Sequence, residues 1–133
     1  MNVDDTVGSA SGDRLSFVNH KGQSIFVVDC SHCSAKEVLA LSEQVRVIVG
    51  RHPRGSLLIL ADFNHAEIDK RVATRLKEVL TLDRPYVKRS AWVHAESVPH
   101  VFYENIKSFS QREIPTFKTR EEAMDWLVAA QDE

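Results

Sequence analysis

The segment "SLLILAD", residues 56–62, most limits what this chain can become. Its apolar residues follow one another without alternation. A strand with one face in water would alternate, so this one reads as covered on both faces, inside a mainly parallel sheet. Parallel neighbours need long crossovers, usually helical. The flanking sequence supplies them.

Ser34 can cap a helix running to about Arg51, with Val38, Leu41, Val45, Ile48 and Val49 as its inner stripe. "HPRG" (52–55) ends it. After the central run, Asn64 and Glu67 have the spacing of a capping pair for the next helix. Its stripe is Ile68, Val72, Leu76, Val79 and Leu80, and it stops before "DRP" (83–85). "YVKRSAWVH" (86–94) is a further strand. Alternation puts Val87, Arg89, Ala91 and Val93 on one face, and Tyr86, Lys88, Ser90 and Trp92 on the other. Pro99 opens a third helix to about Phe109. "IPTF" (114–117) is a short strand, placed at an edge because Pro115 has no N–H to give a ladder. Thr119 and Glu122 form a capping box, followed by an inner face of Ala123, Trp126, Leu127 and Ala130. At the front, "RLSFVNH" (14–20) and "QSIFVVD" (23–29) flank Lys21-Gly22, a two-residue hairpin turn. The order is ββαβαβαβα: an α/β domain with a five-stranded, mostly parallel sheet, one antiparallel strand and four helices.

A chain of 133 residues suits a single domain over 14–133, and residues 1–13, rich in Gly, Ser and Asp, read as a disordered tail. The net charge of −2 speaks against a broad nucleic-acid surface. No apolar run reaches the roughly 18 residues of a membrane span. The start lacks the basic and apolar blocks of a secretory signal. We therefore expect a cytoplasmic protein, in which Cys30 and Cys33 stay reduced. The 5 glycines form no phosphate-cradling cluster, so no nucleotide and no other cofactor is expected.

Three segments carry a family resemblance: "RPYVKRSAWV" (84–93), "TFKTREEAMDWL" (116–127) and "SLLILADF" (56–63). Together with the element order, they resemble the SpoIIAA-like branch of the STAS superfamily over residues 14–130. The resemblance implies a non-catalytic module. Related anti-sigma-factor antagonists bind a partner protein at the start of the helix after the central strand, and phosphorylation of a Ser or Thr there switches them. Lipid-carrier domains of the CRAL-TRIO type are similar in fold but larger. This chain departs from the switch pattern, because no hydroxyl residue lies between Asp62 and Thr74. Partner binding is then expected without the phospho-switch.

Ligands of open α/β sheets sit beyond the C-terminal ends of the parallel strands. The topology brings Asp29, Cys30, His32, Cys33, Asp62, Asn64, His65, His94 and Glu96 to that end, with His100 near it and His20 and His52 at the other. The Cys30-Ser31-His32-Cys33 stretch has three readings. It could be a dithiol pair, since a thiol near a helix start gains thiolate character. It could hold Zn²⁺ with His65 or His94. Or its cysteines could be small packing groups, the reading we favour, because Ser34 is the better cap and no second spaced ligand pair exists. Lys88 and Arg89 lie early in an inner strand, where charge is costly unless paired. We expect them to reach solvent or an acidic side chain. The expectation is a non-catalytic module with no metal, contacting a protein partner or a small apolar ligand through Asp62, Asn64, His65 and His94. The fold allows a homodimer as well. A thiol redox protein using Cys30 and Cys33 is the alternative.

Overall fold

A computed structural model describes residues 14–111 and 114–129. The expected tail and Ala130 lie outside these residues. Among them are five strands and four α-helices: β1 (Leu15–His20), β2 (Gln23–Asp29), α1 (Ala35–Val49), β3 (Leu57–Asp62), α2 (Lys70–Asp83), β4 (Val87–Val93), α3 (His100–Ser110), β5 (Thr116–Phe117) and α4 (Arg120–Ala129). The sheet order is β1-β2-β3-β4-β5. Only β1 is antiparallel to its neighbour.

All six residues of β3 are buried, as an unbroken apolar run requires. Its odd-numbered side chains, Leu57, Ile59 and Ala61, join α1, α2 and Ile106 of α3 in one core. Leu58 and Leu60 meet Ile25, Ala91 and Val93 under Ala123, Leu127 and Val128 of α4. Three helices therefore cover one face of the sheet and α4 covers the other. The β1–β2 turn has positive φ at both Lys21 and Gly22, the conformation that matches the twist of a two-residue hairpin. Ser34 caps α1, and Glu37 completes the box. At α4, Thr119 Oγ1 accepts from the Glu122 amide.

Two details differ from expectation. Asn64 does not cap α2; Asp69 does, with its carboxylate accepting from the Val72 amide. The Asn64 amide instead donates to Asp62 Oδ1, and this Asx turn keeps residues 63–69 out of the helix. Glu67 reaches the Ala35 amide at the start of α1 instead. The alternation in β4 also breaks at its beginning. The register slips between Leu57/Leu58, which oppose Val87 and Arg89. Lys88 is the extra residue of a bulge and is exposed. Val87 thereby turns toward the three-helix core. Arg89 donates to the Leu127 carbonyl in the last turn of α4, where a cation suits the helix dipole.

Leu127 is 0% exposed, so Leu127→Ala should cost about 2–5 kcal/mol. Lys88→Ala should change stability by less than about 0.5 kcal/mol. Urea denaturation of both variants checks the assignment of the bulge.

Candidate functional site at the strand ends

Register places Asp29 beside Asp62, and Asp62 beside Val93, at the C-terminal ends of β2, β3 and β4. Both aspartates share parity with the residues under α4, so their side chains rise on that face. Two carboxylates on neighbouring strands repel. Arg120, the first residue of α4, lies between them: its Nε donates to Asp62 Oδ2 at 2.8 Å, and its Nη2 is 3.3 Å from Asp29 Oδ1. Asp29 Oδ1 also accepts from the Ser31 amide and hydroxyl.

Asp62 is 4% exposed and has three donors: Arg120, the Asn64 amide at 3.0 Å and His94 Nδ1 at 3.1 Å. Burial pushes its carboxyl up. The hydrogen bonds from Arg120, His94 and Asn64 and the Arg120 charge outweigh that, and hold it below its ordinary value.

The loops after β2 and β3 are zipped together. Cys30 N–H donates to the Asp62 carbonyl, His32 N–H to the Asn64 carbonyl and Glu67 N–H to the Cys33 carbonyl. This brings the His32 and His65 rings into a stack with centroids 5.1 Å apart. Both residues are exposed. His32, His65 and His94 share a further property: their φ values are 59°, 56° and 57°. Of the five non-glycine residues with positive φ among the described residues, three are thus histidines at the ends of adjacent strands. A left-handed residue with a Cβ costs roughly 1–2 kcal/mol relative to right-handed backbone, and glycine would avoid that.

The four residues expected as a surface are thus brought together in two linked groups. Asp62, Asn64 and His94 form a hydrogen-bonded set, and His65 pairs with His32 beside it. Asp62 itself is the buried support, not a contact. His100 lies farther out, 3.7 Å from Glu104. With Pro99, Tyr103, Phe117 and Lys118 it lines an open cleft of about 860 Å³ that begins next to His94, at Ala95 and Glu96. Sequence reasoning missed Arg120. A signal for it exists: arginine in the first turn of a helix opposes the dipole, and so implies a nearby carboxylate.

Cys30 and Cys33 are free, buried, and part of the three-helix core, on the other face from the carboxylates. Burial pushes both thiols up, and nearby carboxylates add to it. The helix begins after both, at Ala35 with Ser34 as cap. Both sit among apolar core residues, surroundings that disfavour a thiolate. Among the described residues no three His, Cys, Asp or Glu side chains are grouped to hold a metal ion. Nor is any helix there long and apolar enough to cross a membrane. No family model matches the chain, and no curated protein matches it.

Two outcomes follow from this geometry. A depressed carboxyl stabilises the fold above its unfolded value of about 3.9 and loses that contribution as pH falls through its folded value. Asp62→Asn should therefore lower stability at pH 7, by about 2 kcal/mol for a buried, charge-bonded carboxylate. It should also flatten the loss of stability below pH of about 4. Thermal melts of both proteins between neutral and acid pH give the comparison. The second outcome concerns the thiols. A thiol reagent should leave Cys30 and Cys33 untouched in the folded protein and modify both in denaturant.

Proposed function

We propose that the protein is a STAS-like, SpoIIAA-like regulatory module that binds a partner protein at the C-terminal ends of β2, β3 and β4, without catalysis. The observation that carries this reading is the set of three histidines held in left-handed backbone over a buried, fully bonded aspartate. Backbone strain retained at one place, with side chains that glycine could not supply, is the mark of a surface shaped for contact. His32 and His65 present imidazoles to solvent there, and the cleft beside His94 can receive a partner's side chain.

Support for the family comes from the ββαβαβαβα order and the three quoted motifs. The helix after the central strand is capped by Asp69, a fixed carboxylate, and Thr74 lies beyond its first turn. That agrees with a module working without a phosphorylated hydroxyl at this helix start. The small apolar ligand fits less well. The cavity between the sheet, α1 and α2 has a volume of about 60 Å³ and is bordered by Cys30, Phe63, Leu76, Asp83 and Trp92. Small-molecule pockets are roughly 300–1,000 Å³. The thiol redox alternative draws no support from two buried cysteines whose thiols burial pushes up.

A stability–function split tests the reading. His65→Gly and His32→Gly should fold at least as stably as the parent, since each relieves a left-handed backbone. Both should lose partner binding, whereas His52→Gly at the opposite end should keep it. Quantitative cross-linking mass spectrometry in cells expressing each variant supplies the readout. A partner captured equally by the His32 and His65 variants would overturn the assignment of this surface.

A further inference from the structure

His32 and His65 hold a chemistry that docking a partner does not require. They stand on different loops, and the hydrogen bond from the His32 amide to the Asn64 carbonyl sets the two backbones side by side. Glycine would serve both left-handed turns at less cost, yet each carries an imidazole. The other histidines are engaged elsewhere. His20, His94 and His100 each face a carboxylate, and His52 packs on Phe17. Among the described residues His32 and His65 have no hydrogen-bonding partner for their rings, and each ring meets the other.

The spacing of that pair is informative. Two imidazoles that share one tetrahedral ion, each nitrogen about 2.0–2.1 Å from it, have ring centres roughly 5 Å apart. The His32 and His65 centres are 5.1 Å apart, with 26° between the ring planes. The last side-chain torsion of histidine is broad, so each ring can turn one nitrogen toward a common point without moving the backbone.

The surroundings favour a cation. Asp29, Asp62, Glu37 and Glu67 border the two loops, against Arg14 and Arg120. Both arginines are already held: Arg14 by the Asp29 and Ser31 carbonyls, Arg120 by the two aspartates. The local balance is negative.

We propose that His32 and His65 together bind one divalent transition-metal ion of the Zn²⁺ type, each through one ring nitrogen, with water completing the coordination. The cysteines take no part, because Cys30 and Cys33 belong to the three-helix core. Two protein ligands fall short of the four that close a structural site, so the ion is weakly held and exchangeable. Nothing in this proposal depends on a partner protein, and its test uses the full chain alone.

The probe is Zn²⁺, added while NMR follows the ring signals of all six histidines. Those of His32 and His65 should shift first and together, to an end point of one ion per chain. His32→Asn and His65→Asn remove the ligands, and asparagine tolerates left-handed backbone, so the turns are kept. Each variant should bind Zn²⁺ at least roughly tenfold more weakly, and the double variant should lose little beyond that, because a single imidazole gains nothing from chelation. His52→Asn, at the opposite end of the sheet, should bind as the parent. Zn²⁺ should also raise the melting temperature of the parent more than that of either ligand variant, since the pair exists only in the folded chain. If the variants fold poorly, the ring shifts of the parent still decide. Shifts that appear first at other histidines overturn the proposal, as does one of the two rings shifting without the other. So do single variants that bind Zn²⁺ as the parent does, or a parent that binds none.

Discussion

The arrangement depends on a pair of like charges and the cation between them. Asp29 and Asp62 are neighbours in register at the ends of two parallel strands, and Asp62 is buried there. Removing a carboxylate from water costs several kcal/mol unless it is paired and hydrogen-bonded. Arg120 satisfies both. Because it is the first residue of α4, the same contact fastens the start of that helix to the sheet. At the other end of α4, Arg89 reaches back from β4 to the Leu127 carbonyl. The helix is held at both ends by arginine, with Ala123, Leu127 and Val128 sealing the face between.

That helix is what makes β3 a strand buried on both sides. Without it, Leu58, Leu60, Ala91 and Val93 would face water. The polar network and the apolar core are thus two parts of one closure. The network also shapes the surface above it. Asp62 fixes the Asn64 turn and orients His94, and the Asn64 carbonyl then takes the His32 amide. Each left-handed histidine follows a strand that this network ends, so the strain at these positions is supported from below by bonded groups.

Much of the fold could be read in the sequence because its signals were local. The unbroken apolar run of β3, the Lys21-Gly22 turn, the Ser34 cap and the helical stripes each depend on neighbours within a few residues. The failures were contests between two local signals. Asn64 and Glu67 have capping spacing, but Asp62 captures the Asn64 amide first and the helix waits for Asp69. Strict alternation misplaced Val87, because the bulge at Lys88 inserts one residue into the strand and flips the side-chain parity before it. The site was half legible. Topology alone gathered Asp62, Asn64, His65 and His94 at one end of the sheet. Which of them touch was not written locally: the Asp62–Arg120 pair spans 58 residues, and the His32–His65 stack arises only when two loops zip together.

The central claim is that Asp62 is a charged, bonded hub and not a neutral buried acid. An NMR titration following the Asp62 carboxyl carbon, with the Asn64 amide and His94 ring as reporters, tests it most directly. The account predicts a carboxyl midpoint below the ordinary value of about 3.9, with the Asn64 amide shifting at that same midpoint. It also predicts that Arg120→Gln moves the midpoint up. A carboxyl titrating at or above the ordinary value in the parent protein, or one indifferent to Arg120→Gln, would contradict it.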